Sequence, residues 1–285
     1  MEPCLRVIII VAAFFVGAIF GSFACCQAWR IRLKEQHKKS PGKWSVCLSC
    51  GKRLTTSENI PVFSWLVQKG KCKKCGARIG LAEIVSELSL GVAFSLLVNA
   101  LYDKFVFALS QNQIAITLML IAMTLVLIIA ITVMWILAIY DAKWQELPTF
   151  LLTILNISAI IYVILQIVGF ILSSESFPEI GFYLLKVLGG AVLLAAPYFL
   201  LSVLSKEKLV GSGDWLVALP IALFLGHWWL ALVALFVANL AGSIIGLVLR
   251  SKNGAKKISF GPFLVFAFIV VYATQSWLMQ LIVDL

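Results

Sequence analysis

Ile114–Tyr140 reads IAITLMLIAMTLVLIIAITVMWILAIY without one charged side chain, and the next residue is Asp141. The run exceeds the roughly 20 apolar residues that a helix needs to cross the ~30 Å hydrocarbon core of a bilayer. Such a segment cannot belong to a water-soluble fold. An acid at the end of a membrane span is costly, so its presence is read first as functional. A second acid has a comparable setting. Gly211-Ser212-Gly213-Asp214 lies between the polar turn Lys206-Glu207-Lys208 and the apolar run Trp215–Leu225. Its glycines predict a tight turn that brings Asp214 close to whatever lies opposite. Taken alone, the stretch also reads as a loop ending in an N-cap aspartate.

Composition agrees with a membrane protein. Of the 285 residues, 62% are hydrophobic and 13% charged, with a mean hydropathy of +1.03; soluble domains carry about 25% charged residues. Spans are expected at Leu5–Ala28, Leu81–Leu101, Ile114–Tyr140, Leu147–Leu172, Phe182–Leu204, Asp214–Leu225, Trp228–Leu249 and Gly261–Val283. The fold class is therefore all-α and polytopic, with about eight transmembrane helices. The first is too long for a signal-peptide core and lacks a clear cleavage site, so it reads as retained. Gly226-His227-Trp228-Trp229 reads as an aromatic belt around a tight hairpin.

The net charge of +10 does not point to nucleic acid, because of where the charge falls. Thirteen of the 23 Lys and Arg lie between Arg30 and Arg78, directly after the first span. With both termini outside, the segments 30–80, 141–146, 205–213 and 250–260 face inward and hold 20 of the 23. That is the positive-inside pattern. It places Asp141 and Asp214 at the same, cytoplasmic, boundary.

Between the first two spans, Cys47-Leu48-Ser49-Cys50 and Cys72-Lys73-Lys74-Cys75 form two C-x2-C pairs separated by 21 residues. This is the spacing of a four-thiolate zinc site, each pair supplied by a knuckle turn with Gly51 or Gly76 behind it. Thiols on the inner side stay reduced, which disfavours disulfides. Four protein ligands leave no open position for a catalytic water, so the Zn2+ is expected to be structural. The expected organisation is a first helix over 1–29, a cytoplasmic zinc-binding module over 30–80 and a membrane core over 81–285.

Several phrases in order now resemble one family, the prepilin peptidases (type IV leader peptidases), membrane aspartyl proteases of the GxGD type. Gly21-Ser22-Phe23 resembles its opening GSF. The stretch Cys47 to Cys75, with Glu58-Asn59-Ile60-Pro61-Val62 and Ser64-Trp65-Leu66, is similar to its cysteine-bearing domain, and Val85-Ser86-Glu87-Leu88 to its VEL element. Asp141 with Leu147-Pro148, then Gly211-Ser212-Gly213-Asp214, resemble the two catalytic aspartate motifs, and Phe260-Gly261-Pro262-Phe263 the family's FGPF. Leu216 stands where the family usually has Lys, Thr149 where another Asp is common, and Ala28-Trp29-Arg30-Ile31 departs from the usual Tyr-Arg-Leu-Pro.

The resemblance implies a bacterial inner-membrane enzyme that cleaves the basic leader from type IV prepilins or pseudopilins. Asp141 and Asp214 would be catalytic, with Gly211 and Gly213 forming the active-site loop. It also implies methylation of the new N-terminal amine with S-adenosylmethionine, with no cofactor-binding residues assigned. Two adjacent carboxylates share a proton, so the ionised one can activate water while the protonated one polarises the scissile carbonyl. The alternative is a transporter or scaffold bearing a zinc ribbon. Glu83 and Glu87 suit the N-terminal dipole of the second span, or face the active site or zinc module. Asn156 and Asn239 are expected to bond neighbouring helices.

Overall fold

The computed structural model describes residues 2–37, 44–173, 177–207, 210–253 and 259–283. Its helices are α1 (Glu2–Glu35), α2 (Phe63–Val67), α3 (Leu81–Ser110), α4 (Ile114–Trp144), α5 (Thr149–Leu172), α6 (Phe177–Ser205), α7 (Ser212–Leu225), α8 (Trp228–Asn253), α9 (Gly261–Ala273) and α10 (Gln275–Val283), with a 3-10 turn at Thr56–Asn59. The chain divides into two compact units, Met1–Asn99 and Ala100–Leu285. Each expected apolar span is helical.

Two spans differ in form from the simple expectation. Among the described residues, six helices are long and apolar enough to cross a membrane, and a seventh span forms only if Gly261–Ala273 and Gln275–Ile282 count as one. Those two helices bend by 69° at Thr274. There the Thr274 hydroxyl donates to the Val270 carbonyl at 2.8 Å, competing with the helical ladder. The other exception is α7, which has 14 residues and a length of about 21 Å, too short to span. Its buried side chains, among them Val217, Ala218, Ile221, Ala222 and Phe224, cover more than half of its circumference, and Trp215, Leu216, Leu219 and Leu223 on the remaining face are half-buried. A helix packed largely among other helices is not held to the hydrocarbon thickness.

In the first unit α1 and α3 pair antiparallel. Ser86 Oγ donates to the Gly21 carbonyl at 2.8 Å, Ser95 Oγ to Ile10 at 3.1 Å, and Arg6 reaches Asn99 Oδ1 at 2.9 Å. A Cβ on Gly21 would stand 2.5 Å from the Ser86 carbonyl oxygen, so the helices touch backbone to backbone, as small residues permit. The GSF and VEL phrases thus meet each other. In the second unit α7 packs against α5, α6, α8 and α9, while α4 packs against α5 and α9. Gly226, left-handed at φ 67°, ends α7, and α8 begins two residues later at Trp228. The expected tight hairpin is present, with His227 stacked on Trp228.

Candidate functional site

Asp141 lies in the last turn of α4, buried at 7% exposure. The helix stops because Gln145 turns left-handed (φ 57°) and donates its N–H to the Asp141 carbonyl at 2.8 Å. The Asp141 side chain faces the start of α9, where the Gly261 N–H donates to Oδ2 at 2.9 Å. The first amides of a helix have no partner within it, and the helix dipole there favours negative charge. A Cβ on Gly261 would lie 2.9 Å from that same oxygen. The FGPF phrase therefore has a physical role that sequence resemblance left unstated: it seats Asp141.

Asp214 lies in the first turn of α7, also 7% exposed, and its Oδ2 accepts the Gly211 N–H at 3.1 Å. The four residues close a turn, with the Asp214 N–H donating to the Gly211 carbonyl at 3.2 Å, but neither glycine is left-handed. Gly211 is extended (φ −71°, ψ 152°), and Gly213 is helical. What Gly213 allows is close approach: a Cβ there would stand 2.5 Å from Leu147 Cδ1. Leu147 belongs to the short α4–α5 connection that follows Asp141. These contacts gather both carboxylates at one end of the helix group, formed by the end of α4 and the starts of α5, α7 and α9.

Two further residues tie this end together, and neither carries a sequence motif. Tyr198 on α6 is buried, packs its ring 5.3 Å from Phe260, and lies close enough to Asp214 to feel its charge. Its hydroxyl accepts the Asn239 side-chain N–H at 3.0 Å, so Asn239 does join neighbouring helices. Asn156 does the same, donating to the Leu216 carbonyl at 3.0 Å. Leu216, in the place of the usual Lys, brings no charge to this end.

The four cysteines of the first unit also converge. The sulfur atoms of Cys47, Cys50, Cys72 and Cys75 all lie within 4.8 Å of one another, with Cys47 and Cys75 3.9 Å apart. Zn–S bonds of about 2.3 Å in a tetrahedron require sulfurs roughly 3.8 Å apart. The two pairs are built alike. Gly51 donates to the Cys47 carbonyl and Gly76 to the Cys72 carbonyl, both at 2.9 Å, and both glycines are left-handed (φ 69° and 68°). A side chain at either would meet open space, so backbone conformation selects glycine here. The Cys75 and Lys74 amides help hold the Cys72 thiol down to about 6. Four thiols this close cannot all ionise alone, and a divalent cation is what allows it. The four cysteines are positioned to bind a metal.

Between the knuckles a polar knot fixes the loop. Glu58 accepts Lys52 Nζ at 2.8 Å, the Thr55 N–H at 3.0 Å and the Thr55 hydroxyl at 3.1 Å. Lys52 first, then the Thr55 amide, bring its carboxyl down to about 2. Glu87 also serves this region, since its buried Oε2 accepts the Val62 N–H at 2.6 Å. Val62 is in a strained left-handed conformation (φ 64°, ψ −54°) with Phe63 N–H bonded to the Pro61 carbonyl, the geometry of a rare γ-turn. Of the two readings for Glu87, the one facing the cysteine module holds.

Removing the metal should therefore unravel this loop specifically. We expect one zinc per chain by elemental analysis. Chelation, or Cys72→Ser, is expected to open 44–80 to protease while helicity is largely kept. Stoichiometric iron, or a loop equally resistant without metal, would contradict the assignment.

Comparison with known proteins agrees with this layout. Residues 15–101 match the bacterial peptidase A24 N-terminal domain. A prepilin leader peptidase/N-methyltransferase of Dichelobacter nodosus is 31% identical over 285 residues, covering 89% of this chain and 88% of the relative. One of Pseudomonas aeruginosa is 26% identical over 228 residues, covering 78% and 69%. The type 4 prepilin-like proteins leader peptide-processing enzyme of Escherichia coli O78:H11 is 25% identical over 276 residues, covering 86% and 87%. No solved structure matches the chain. With two acids anchored at one helix end, a four-cysteine module between its first long helices and a relative of this identity along nearly its whole length, the chain belongs to the prepilin leader peptidase/N-methyltransferase family.

Proposed function

We propose that this multi-pass inner-membrane protein removes the leader from type IV prepilins or pseudopilins and then methylates the exposed N-terminal amine. One observation carries the peptidase reading. Among the described residues of the second unit, Asp141 and Asp214 are the only buried acids, and each is held by a backbone amide at the same end of the helices. A transporter would instead need ionisable groups along a path through the membrane, so that alternative is not favoured.

The chemistry follows from the pair. One carboxylate accepts a proton from water, which adds to the scissile carbonyl carbon. The other, protonated, donates to the carbonyl oxygen, and collapse of the tetrahedral intermediate passes a proton to the departing amine. The titration belongs to the pair, so neither residue is fixed as acid or base. Gly261 and Gly211 orient the two side chains, and Gly213 lets α7 seat against Leu147. We assign this step to the membrane core, 81–285. The active end is placed at the cytoplasmic face on the distribution of Lys and Arg before α7.

Methyl transfer is assigned to the module over 30–80, whose four cysteines would hold a structural Zn2+. S-adenosylmethionine would supply the methyl group. The test is to incubate the purified chain in lipid with a prepilin and determine product masses. Loss of the leader is expected with or without S-adenosylmethionine, and the added mass of one methyl group only with it. Leader retention over several prepilins would overturn the peptidase reading.

A further inference from the structure

The apolar face that α1 exposes runs from Leu5 to Phe23 and then stops, since none of residues 24–33 is exposed. At 1.5 Å per residue that face is about 27 Å tall, close to the hydrocarbon thickness of a bilayer. Phe23 therefore marks the level of one membrane surface. Glu87 on α3 lies near the same level, because a Cβ on Gly21 would stand 2.6 Å from the Glu87 Cα. The Glu87 carboxylate in turn accepts the Val62 N–H at 2.6 Å. The start of α2 is thus pinned at the membrane surface, through the strained turn at Val62. What α2 presents there is apolar. Phe63, Leu66 and Val67 share one helical face, Ile60 lies a turn earlier, and the four are 45–61% exposed. Trp65 turns the other way, its ring lying over Gly70, where a Cβ would come within 2.9 Å of it.

We infer that α2 is an interfacial anchor. Its apolar face, with Ile60, enters the bilayer at the level where α1 leaves it, and the exposed lysines that follow, Lys69, Lys71, Lys73 and Lys74, meet anionic lipid headgroups. Apolar side chains beside a run of cations are the make-up of a segment that lies in the plane of a membrane interface. Large apolar side chains clustered on one surface also call for a partner other than water. A second copy of the chain is the rival occupant, but it is not held to the level of Phe23 and would leave the lysines unmatched. The inference is independent of the peptidase and methyltransferase readings. Its consequence falls on the cysteine module. Cys72 follows Val67 by five residues, so anchoring α2 holds the second cysteine pair close to the headgroups.

The test places a photoactivatable phenylalanine analogue at position 63 or 66 of the full-length protein, held in lipid nanodiscs containing phosphatidylglycerol. Mass spectrometry after irradiation reads what each position touches. A lipid adduct is expected as the main product at both. A crosslinked dimer, a crosslink to another part of the same chain, or reaction with solvent alone would overturn the inference. The lysines are read separately, on the unmodified protein. Trypsin cleavage at Lys69, Lys71, Lys73 and Lys74 should be at least about tenfold slower in nanodiscs with phosphatidylglycerol than in phosphatidylcholine alone, and high salt should abolish the difference. Equal rates in the two lipids would overturn the headgroup contact.

Discussion

Asp141→Asn and Asp214→Asn each lower prepilin cleavage by about 10⁴-fold or more, the scale of losing both proton transfers in one step. The substitution is chosen because of what it leaves in place. A carboxamide oxygen can still accept the Gly261 N–H at position 141, or the Gly211 N–H at position 214, so the helix starts keep their anchors. What goes is the shared proton: an amide neither takes a proton from water nor gives one to a carbonyl oxygen. The double variant should therefore be no slower than either single, because the pair works as one unit. All three variants should insert and bind as much metal as wild type at the four cysteines. They should also still methylate a prepilin cleaved in advance, because that step is assigned to the other unit. Gel shift reads cleavage, and product mass reads methylation. Near-normal cleavage by either single variant would remove it from the dyad.

The membrane fold was legible because the bilayer imposes its period on the sequence: each expected apolar run is a helix. What the runs did not reveal was their length relative to the membrane. Asp214–Leu225 reads as a short span followed by a hairpin, and it is a 14-residue helix buried over most of its surface by its neighbours. Hydropathy cannot distinguish these two cases, because lipid and packed helices are equally apolar. The bend at Thr274 was hidden for a related reason. The backbone leaves the helix at Thr274 (φ −103°, ψ 8°) with no change in the chain's apolar character.

The candidate site divides along the same line. Cys47, Cys50, Cys72 and Cys75 could be read directly, because local knuckle spacing brings the ligands of each pair together. Asp141 and Asp214 stood out because each heads or ends an apolar run inside a recognisable phrase, Gly211-Ser212-Gly213-Asp214 and Asp141 ahead of Leu147-Pro148. The functions of Gly261 and Tyr198 did not, whereas Asn239 was legible as a polar residue bonding a neighbouring helix. Their roles arise from contacts across 41 to 120 residues of sequence, made by side chains or amides unremarkable in any helix. Gly213 was legible as a point of close approach, although its partner was not. It serves helix contact with Leu147, and no left-handed turn requires it.

Gly261→Ala is the sharpest test of that long-range geometry, with kcat expected to fall about 100-fold, equivalent to about 2.7 kcal/mol of activation free energy. The added methyl would sit 2.9 Å from Asp141 Oδ2 and 3.5 Å from its Cβ and Cγ. Something must give, and the cheapest movement is rotation of the carboxylate, since it is the mobile end of a side chain while α4 and α9 are packed. The Gly261 N–H remains, but the oxygen it holds is displaced from its line. A displacement near 1 Å is enough to cost this much in a reaction that depends on alignment. The added methyl misaligns Asp141 and leaves the remainder of the protein's surface as it was, so KM should change little. A folding defect would instead lower the yield of inserted, zinc-loaded protein and leave kcat per folded enzyme near wild type. Gly261→Ser, similar in volume but able to donate to the carboxylate through its hydroxyl, should fail to restore the rate, because it places a second donor on the wrong side of Oδ2. Full activity in Gly261→Ala, or a change confined to KM, would show that the α9 amide does not position Asp141 for catalysis.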